Sequence, residues 1–395
     1  MSAPRSSAPR PTAAPRPATT PSVPERPSDV TRRPGRARLR AVATACLVAA
    51  ALTTGAAVAP TASGAPASGG TPGPEATAGP AGTGTAPGLP GPEATGPAGA
   101  TPGRPGPGAA PGPVGAPTPG CGTTPPQAAG TTAVRTIDSG GRERSVRVHL
   151  PDGYRPDRPT PVVLVFHGRG NDGATTENFS GLSGLPAVVA YPDGVPGGEG
   201  KRSWQGAPYS APGVDDVAFT GDLLDDLEST LCVDPGRVFA TGKSNGGGFT
   251  EILACRMSDR IAAIAPVAGA YYRDGEPPCR PGRPVPALFV HGTGDATIPY
   301  TGDADRGLPA IPAKVAEWVA RDGCRARPQI RRIEPDVTIS TWRGCRDGAR
   351  VAHVAVDGGG HTWPGATAYS GGGVTTQTVR ATALIGDFFG LGGPR

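Results

Sequence analysis

The chain has 395 residues, with 62 Gly, 50 Pro, 7 Cys and a formal net charge of +5. Nine Arg against Glu25 and Asp29 place the basic balance in residues 1–40, and the part from Cys121 onward comes out near −1, so charge gives no support to a nucleic-acid partner. The roughly 275 residues from Cys121 onward suffice for one large single-core domain and leave little room for a second catalytic one.

Residues 1–40 read as a basic, disordered arm that ends in a signal n-region. Arg32, Arg33, Arg36, Arg38 and Arg40 precede an apolar run over residues 41–59, and small residues follow. That order is an export signal with an Ala-rich cleavage zone. An uncleaved anchor is the competing reading of the run. Cleavage implies a secreted protein, free or associated with the cell envelope, with no stable membrane insertion. Residues 60–120 are rich in Pro, Gly, Ala and Thr without glycine at every third position. They read as an extended linker rather than a collagen helix.

Cys46 lies in the apolar run and leaves with the signal. Cys121, Cys232, Cys255, Cys279, Cys324 and Cys345 form an even set suited to three disulfides in an oxidising compartment. Cys324 and Cys345 flank one short strand-rich segment, which favours their pairing. The other pairings stay open. No cysteine or histidine spacing resembles a metal site, so no metal is expected.

The folded part is expected over residues 121–395. Two alternating runs around Ser139-Gly140-Gly141 predict a β-hairpin. "PVVLVFHG" (161–168) and "AVVAYPDG" (187–194) are near-continuous apolar runs, as a strand buried on both faces requires. Residues 214–231 have helical spacing, 237–242 read as a strand and 246–257 as a helix. "IAAIAPVAG" and "VPALFVHG" are two more buried strands, and helices follow at "IPAKVAEWVARDG" and "TVRATALIGDFFG". Alternating strands and helices predict an α/β fold with a mostly parallel central sheet and helices on both faces. Chemistry then gathers at the C-terminal strand ends.

"GKSNG" (242–246) stands between a strand and a helix, the context of the G-x-S-x-G nucleophile elbow. Ser244 is the candidate nucleophile. The competing reading is a glycine-rich turn with an incidental serine. "HGTGD" places Asp295 just past a buried strand as the candidate acid, ahead of Asp303 and Asp305, and a turn-capping Asp is the alternative. "DGGGH" places His361 on a loop whose three glycines give it freedom to bring an imidazole over Ser244. The order Ser, Asp, His is that of an α/β-hydrolase. His353 reads as structural, His291 as support for the Asp295 loop, His167 as a loop orienter, and His149 has no evident partner. Backbone N–H groups of Asn245 and of Gly168 or Arg169 are the candidate oxyanion donors. An acyl-enzyme route through these groups needs no cofactor.

The landmarks "HGRGND", "YPDG", "SWQG", "VDPGRVFATGKSNGGGF", "HGTGDATIPY" and "GGGHTWPG" together resemble the secreted esterases that group polyhydroxybutyrate depolymerases with feruloyl and acetyl-xylan esterases. The resemblance runs from about Cys121 to the end. It implies the α/β-hydrolase fold, triad roles for Ser244, Asp295 and His361, and positions near the substrate cleft for Trp204, Asp215 and Trp363. One departure is Gly248, where a larger residue is frequent. Its loss of bulk is expected to loosen packing behind the elbow. The resulting reading is a secreted serine carboxylic-ester hydrolase, first of all polyhydroxybutyrate depolymerase-like, with a feruloyl or acetyl-xylan esterase as the alternative. Its partner is an ester substrate, small or polymer-derived, and no oligomeric state is assigned. A non-catalytic envelope or binding protein is the reading from a different class, and a serine peptidase lacks the recognition elements it needs.

Overall fold

The computed structural model describes residues 117–392. The expectations for residues 1–40, for 41–59 and for nearly all of 60–120 lie outside the described residues. Gly140 and Gly141 take positive φ (57° and 73°) and turn the chain between β1 (Thr132–Ser139) and β2 (Arg142–His149), which pair antiparallel as the hairpin expected there.

β3 (Thr160–Phe166) is buried at every position. Its side chains alternate between two cores: Val162, Leu164 and Phe166 face one, and Val163 and Val165 the other. That is why its sequence is a continuous apolar run. Next come α1 (Gly173–Ser180), capped by the Asp172 side chain, β4 (Val188–Pro192) and a two-stranded ribbon of β5 (Val195–Pro196) and β6 (Arg202–Ser203). α2 (Asp216–Thr230), β7 (Val233–Lys243), α3 (Asn245–Arg256), β8 (Ala263–Val267) and β9 (Ala287–Gly292) continue the alternation. α4 (Ile311–Arg321), β10 (Gln329–Ile333), β11 (Val337–Trp342), β12 (Val351–Val356) and α5 (Ala381–Phe388) complete it.

The strands form a 10-stranded sheet in the order β1-β2-β4-β3-β7-β8-β9-β12-β11-β10. From β4 to β12 neighbours run parallel, and the flanking pairs at both edges run antiparallel. Side chains of α2, α3 and α4, including Phe219, Phe249 and Trp318, fill one core. Those of α1 and α5, including Phe179 and Ile385, fill the other. Burial on both faces of a mostly parallel sheet is the α/β-hydrolase architecture expected from the sequence. No helix among the described residues is long and apolar enough to cross a membrane.

Three disulfides join the six cysteines: Cys121–Cys232, Cys255–Cys279 and Cys324–Cys345. The last is the pair favoured from sequence. The first spans 111 residues and ties the start of the domain to the beginning of β7, where Thr118 Oγ1 also donates to Leu231 O at 3.1 Å. Closing so long a loop restricts the unfolded chain most. The double variant Cys121→Ala/Cys232→Ala is expected to lose about 2–5 kcal/mol, read as a lower denaturant midpoint. An unchanged midpoint would mean that this crosslink adds nothing to the stability of the fold.

Candidate active site

The turn after β7 is where backbone packs on backbone. Ser244 takes φ 58° and ψ −123°, a strained conformation for a residue with a side chain. The flanking glycines are required by space. A Cβ on Gly246 would stand 2.2 Å from Phe166 O, and one on Gly242 would stand 2.5 Å from the same oxygen. Gly248 belongs to the same contact, since a Cβ there would lie 1.8 Å from Ala270 O. The expected loosening behind the elbow is therefore not found. Glycine lets the Ala270 segment close onto α3, and Ala270 N–H donates to Ser244 O at 2.9 Å.

Asn245 begins α3, and its side chain is locked. Its Oδ1 accepts the Trp204 N–H at 2.7 Å and its Nδ2 donates to Trp204 O at 3.3 Å. N–H groups in the first turn of a helix lack intrahelical partners, so the Asn245 N–H is free to serve a ligand. Gly168 approaches from the end of β3: a Cβ on it would be 3.3 Å from Ser244 Cβ. His167 fixes this loop as the sequence suggested. Its Nε2 accepts the Gly194 N–H at 2.8 Å, which leaves Nδ1 to donate to Gly168 O at 2.8 Å. Burial lowers its pKa to about 4, so it stays neutral. The Arg169 guanidinium turns outward, 4.3 Å above the Tyr209 ring and 3.3 Å from Glu199.

Asp295 and His361 are brought together. His361 Nδ1 donates to Asp295 Oδ2 at 2.8 Å, and both residues are buried. Asp295 Oδ1 accepts the N–H groups of Thr297 and Ile298, each at 2.8 Å. Burial alone would raise the Asp295 pKa, but His291, His361 and the Ile298 N–H outweigh it and hold the carboxyl well below the usual range. His291 Nε2 donates to Ile298 O at 2.9 Å and so supports the Asp295 loop. For His361, burial is the leading influence and lowers its pKa. The hydrogen bond to Asp295 opposes that, and Lys243 adds to it.

The three glycines before His361 supply closeness rather than the freedom expected of them. Gly359 O accepts the Gly294 N–H at 2.9 Å, and a Cβ on Gly292 would stand 2.1 Å from that oxygen. A Cβ on Gly360 would meet Gly372 O at 2.5 Å. The loop is thus pressed onto the Asp295 loop on one side and residues 371–374 on the other.

The remaining candidates have other positions. Trp204 is buried and stacks on Phe249 at 5.4 Å, with its ring N–H donating to His167 O at 2.9 Å. Trp363 lies in the opposite core against Phe179, with its ring N–H on Thr382 at 3.2 Å. Both brace the site from within. Asp215 is exposed and caps α2 through the Ala218 N–H. Its neighbour Asp216 is the fixed one: it binds Arg144 at 2.8 Å and accepts the Gln205 N–H at 2.8 Å. His353 is buried in β12, and His149 Nδ1 meets Thr132 Oγ1 at 2.9 Å. Of the alternative acids, Asp303 lies 3.5 Å from Arg306. The six cysteines are all in disulfides, which removes Cys255 and Cys279 as metal ligands beside Glu251.

A small apolar cluster of Tyr209, Tyr272, Ala207, Ala270, Ile298 and Leu308 adjoins these groups. Ala270 is bonded to Ser244, and Ile298 to Asp295. Tyr209 and Tyr272 meet edge to face at 5.8 Å, and Arg306 donates to the Tyr272 hydroxyl at 3.1 Å. Nothing in the sequence pattern gathered these residues, which come from four separate segments.

The family model described as "Putative esterase" matches residues 137–277. The chain is 34% identical to "Putative esterase NocK" of Nocardia uniformis subsp. tsuyamanensis over 273 residues, covering 61% of this chain and 77% of that protein. It is 31% identical to "Feruloyl esterase B" of Piromyces equi over 234 residues, 55% of this chain but 42% of that protein, so it spans less than half of that relative's length. Among solved structures it is similar to an acetyl xylan esterase from Aspergillus awamori, at 14% identity and TM-score 0.48, over 66% of this chain and 99% of that one.

The Arg144–Asp216 pair is almost fully buried, with side chains 3% and 2% exposed. Asp216→Ala would leave the guanidinium without its partner and release Gln205 beside Trp204. The expected cost is about 3–5 kcal/mol in a denaturant titration. A loss under ~1 kcal/mol, the value of a surface pair, would show that the bridge does not hold this wall.

Proposed function

The chain belongs to the esterase family, and from that premise we propose that it cleaves carboxylic esters through an acyl-enzyme, with Ser244 as nucleophile, His361 as base and Asp295 as acid. The observation that carries the reading is the buried 2.8 Å contact between His361 Nδ1 and Asp295 Oδ2, beside a strand–helix elbow that holds the one serine with positive φ among the described residues. With Nδ1–H committed to the carboxylate, His361 presents Nε2 as the proton acceptor. It takes the Ser244 proton as Oγ attacks the ester carbonyl, then returns it to the leaving alcohol. Water clears the acyl group by the same route. Asn245 N–H, with Gly168 or Arg169 N–H, would receive the negative charge that develops on the carbonyl oxygen.

Within this reaction we place esters of aromatic, feruloyl-type acids first and acetyl esters of polysaccharide second. The names of the relatives favour these over the 3-hydroxybutyrate ester that the sequence put first. Support for an aromatic acyl group comes from the tyrosines of the apolar cluster whose Ala270 and Ile298 are bonded to Ser244 and Asp295, since aromatic rings favour aromatic neighbours. The three disulfides support work in an oxidising, extracytoplasmic compartment, as does the reading of the N-terminal sequence as an export signal.

The purified full-length chain is to be assayed on p-nitrophenyl acetate, methyl ferulate, acetylated xylan and a 3-hydroxybutyrate oligomer. Methyl ferulate is expected to be turned over with the highest kcat/KM, and Ser244→Ala to lower every rate by about 10⁴-fold or more. A faster oligomer would restore the depolymerase reading, and a wild type no faster than Ser244→Ala on any ester would refute the esterase reading. The neutral imidazole is the working form, and burial lowers the His361 pKa. The acid limb of kcat/KM should therefore fall below the ordinary histidine value of about 6.5. An acid limb at or above that value would count against His361 as the buried base.

A further inference from the structure

The elbow holds one charged side chain that the proposed mechanism does not use. Lys243 is the last residue of β7, immediately before Ser244, and is 4% exposed. Among the described residues no carboxylate forms an ion pair with it, and Asp295 acts on it only through space. A lysine enclosed this fully with no ion pair for its head group is costly, and Met would fill much the same volume without a charge.

Gly371 closes over this side chain. It takes φ +148°, and a Cβ there would stand 2.8 Å from Lys243 Nζ and 1.9 Å from the His361 carbonyl oxygen. The ammonium, the Gly371 backbone and the backbone of His361 thus converge on one point. Residues 371–374 are in turn bonded to the His361 loop, with Gly360 N–H donating to Val374 O at 2.9 Å.

Resting on the triad reading above, we propose that Lys243 is a positioning residue for His361: its ammonium seats the 371–374 segment that packs on the histidine loop. The groups acting on His361 are Asp295, which favours the cation, and Lys243 and His291, which oppose it. Burial lowers the Lys243 pKa to about 8, with Asp295 opposing, so the ammonium is still charged where His361 titrates. Removing the charge must then raise the His361 pKa and move the acid limb of activity to higher pH.

The test uses the full chain with Lys243→Met, Lys243→Gln and the charge-preserving Lys243→Arg. Two quantities are followed: the acid limb of kcat/KM for p-nitrophenyl acetate, and the titration midpoint of His361 by imidazole NMR, tractable with five His in the chain. In the Met and Gln variants both should move up by about one pH unit, while Lys243→Arg stays close to wild type. A His361 midpoint unmoved in a folded Met or Gln variant overturns the proposal, whatever happens to the rate. Failure of both neutral variants to fold overturns it too, because Lys243 would then be structural. A midpoint that moves up in the Met and Gln variants while the wild-type protein has no esterase activity upholds the coupling and removes the triad reading instead.

Discussion

The site depends on how closely three stretches of backbone approach one another at the end of β7. Ser244 is held at φ 58° because Gly242 and Gly246 let the carbonyl of Phe166 come within reach of both. Gly248 lets Ala270 close from the other side and donate to Ser244 O. Any side chain at these positions collides with backbone, which cannot move aside as a side-chain tip can. Strain of this kind costs about 1–3 kcal/mol and persists only where the surroundings over-determine it. The central strands, buried on both faces, supply that surrounding rigidity.

The same burial sets the electrostatics. His361 and Asp295 are removed from water together, and desolvation pushes their pKa values in opposite directions: down for the imidazole and up for the carboxyl. Left alone, both would become neutral and the pair would lose its charge assistance. Donors from the Thr297 and Ile298 backbone and from two imidazoles reverse the effect on Asp295. For His361 only Asp295, through its hydrogen bond and its charge, opposes burial, and Lys243 and His291 add to the lowering. The outcome is an ionised acid beside a neutral base, each produced by its own hydrogen-bond count in a shared low dielectric.

Much of this was legible in the sequence. Strands buried on both faces announce themselves as apolar runs, and "GKSNG", "HGTGD" and "DGGGH" each follow one, which places their residues at the C-terminal edge of the sheet, where Asp295 and His361 meet. Cys324 and Cys345 flank a local hairpin, β10 and β11, and short range makes such a pair readable. Cys121–Cys232 depends on where a 111-residue excursion returns, which no local pattern encodes. Asp215 and Asp216 differ by one step on a helix terminus: that step turns one carboxylate to water and the other to Arg144. Periodicity at a helix start is too short to tell them apart. Trp204 and Trp363 look alike as tryptophans near motifs, yet each is spent inside a core, since a ring that large is most stabilised where both faces are covered. Gly248 and the glycines before His361 were misjudged for one reason. Sequence shows the absence of a side chain but not the neighbour that fills the space.

Substrate selection has a different physical origin from the chemistry. The elbow and the residues proposed as the triad follow strand ends, where the sheet fixes position. Tyr209, Tyr272, Ile298 and Leu308 sit on connections, whose shape comes from contacts made at a distance in sequence. Arg169 joins the two systems. Its backbone follows Gly168 in the loop that approaches Ser244, while its guanidinium lies over Tyr209. If that loop supplies an oxyanion donor, as proposed, then whatever moves Tyr209 also bears on the donor through Arg169. An acyl group that packs well against the tyrosines would steady the loop at the stage when charge develops on the carbonyl oxygen. Binding energy from the remote part of the acyl group would then appear in kcat rather than in KM alone, as differential transition-state binding requires.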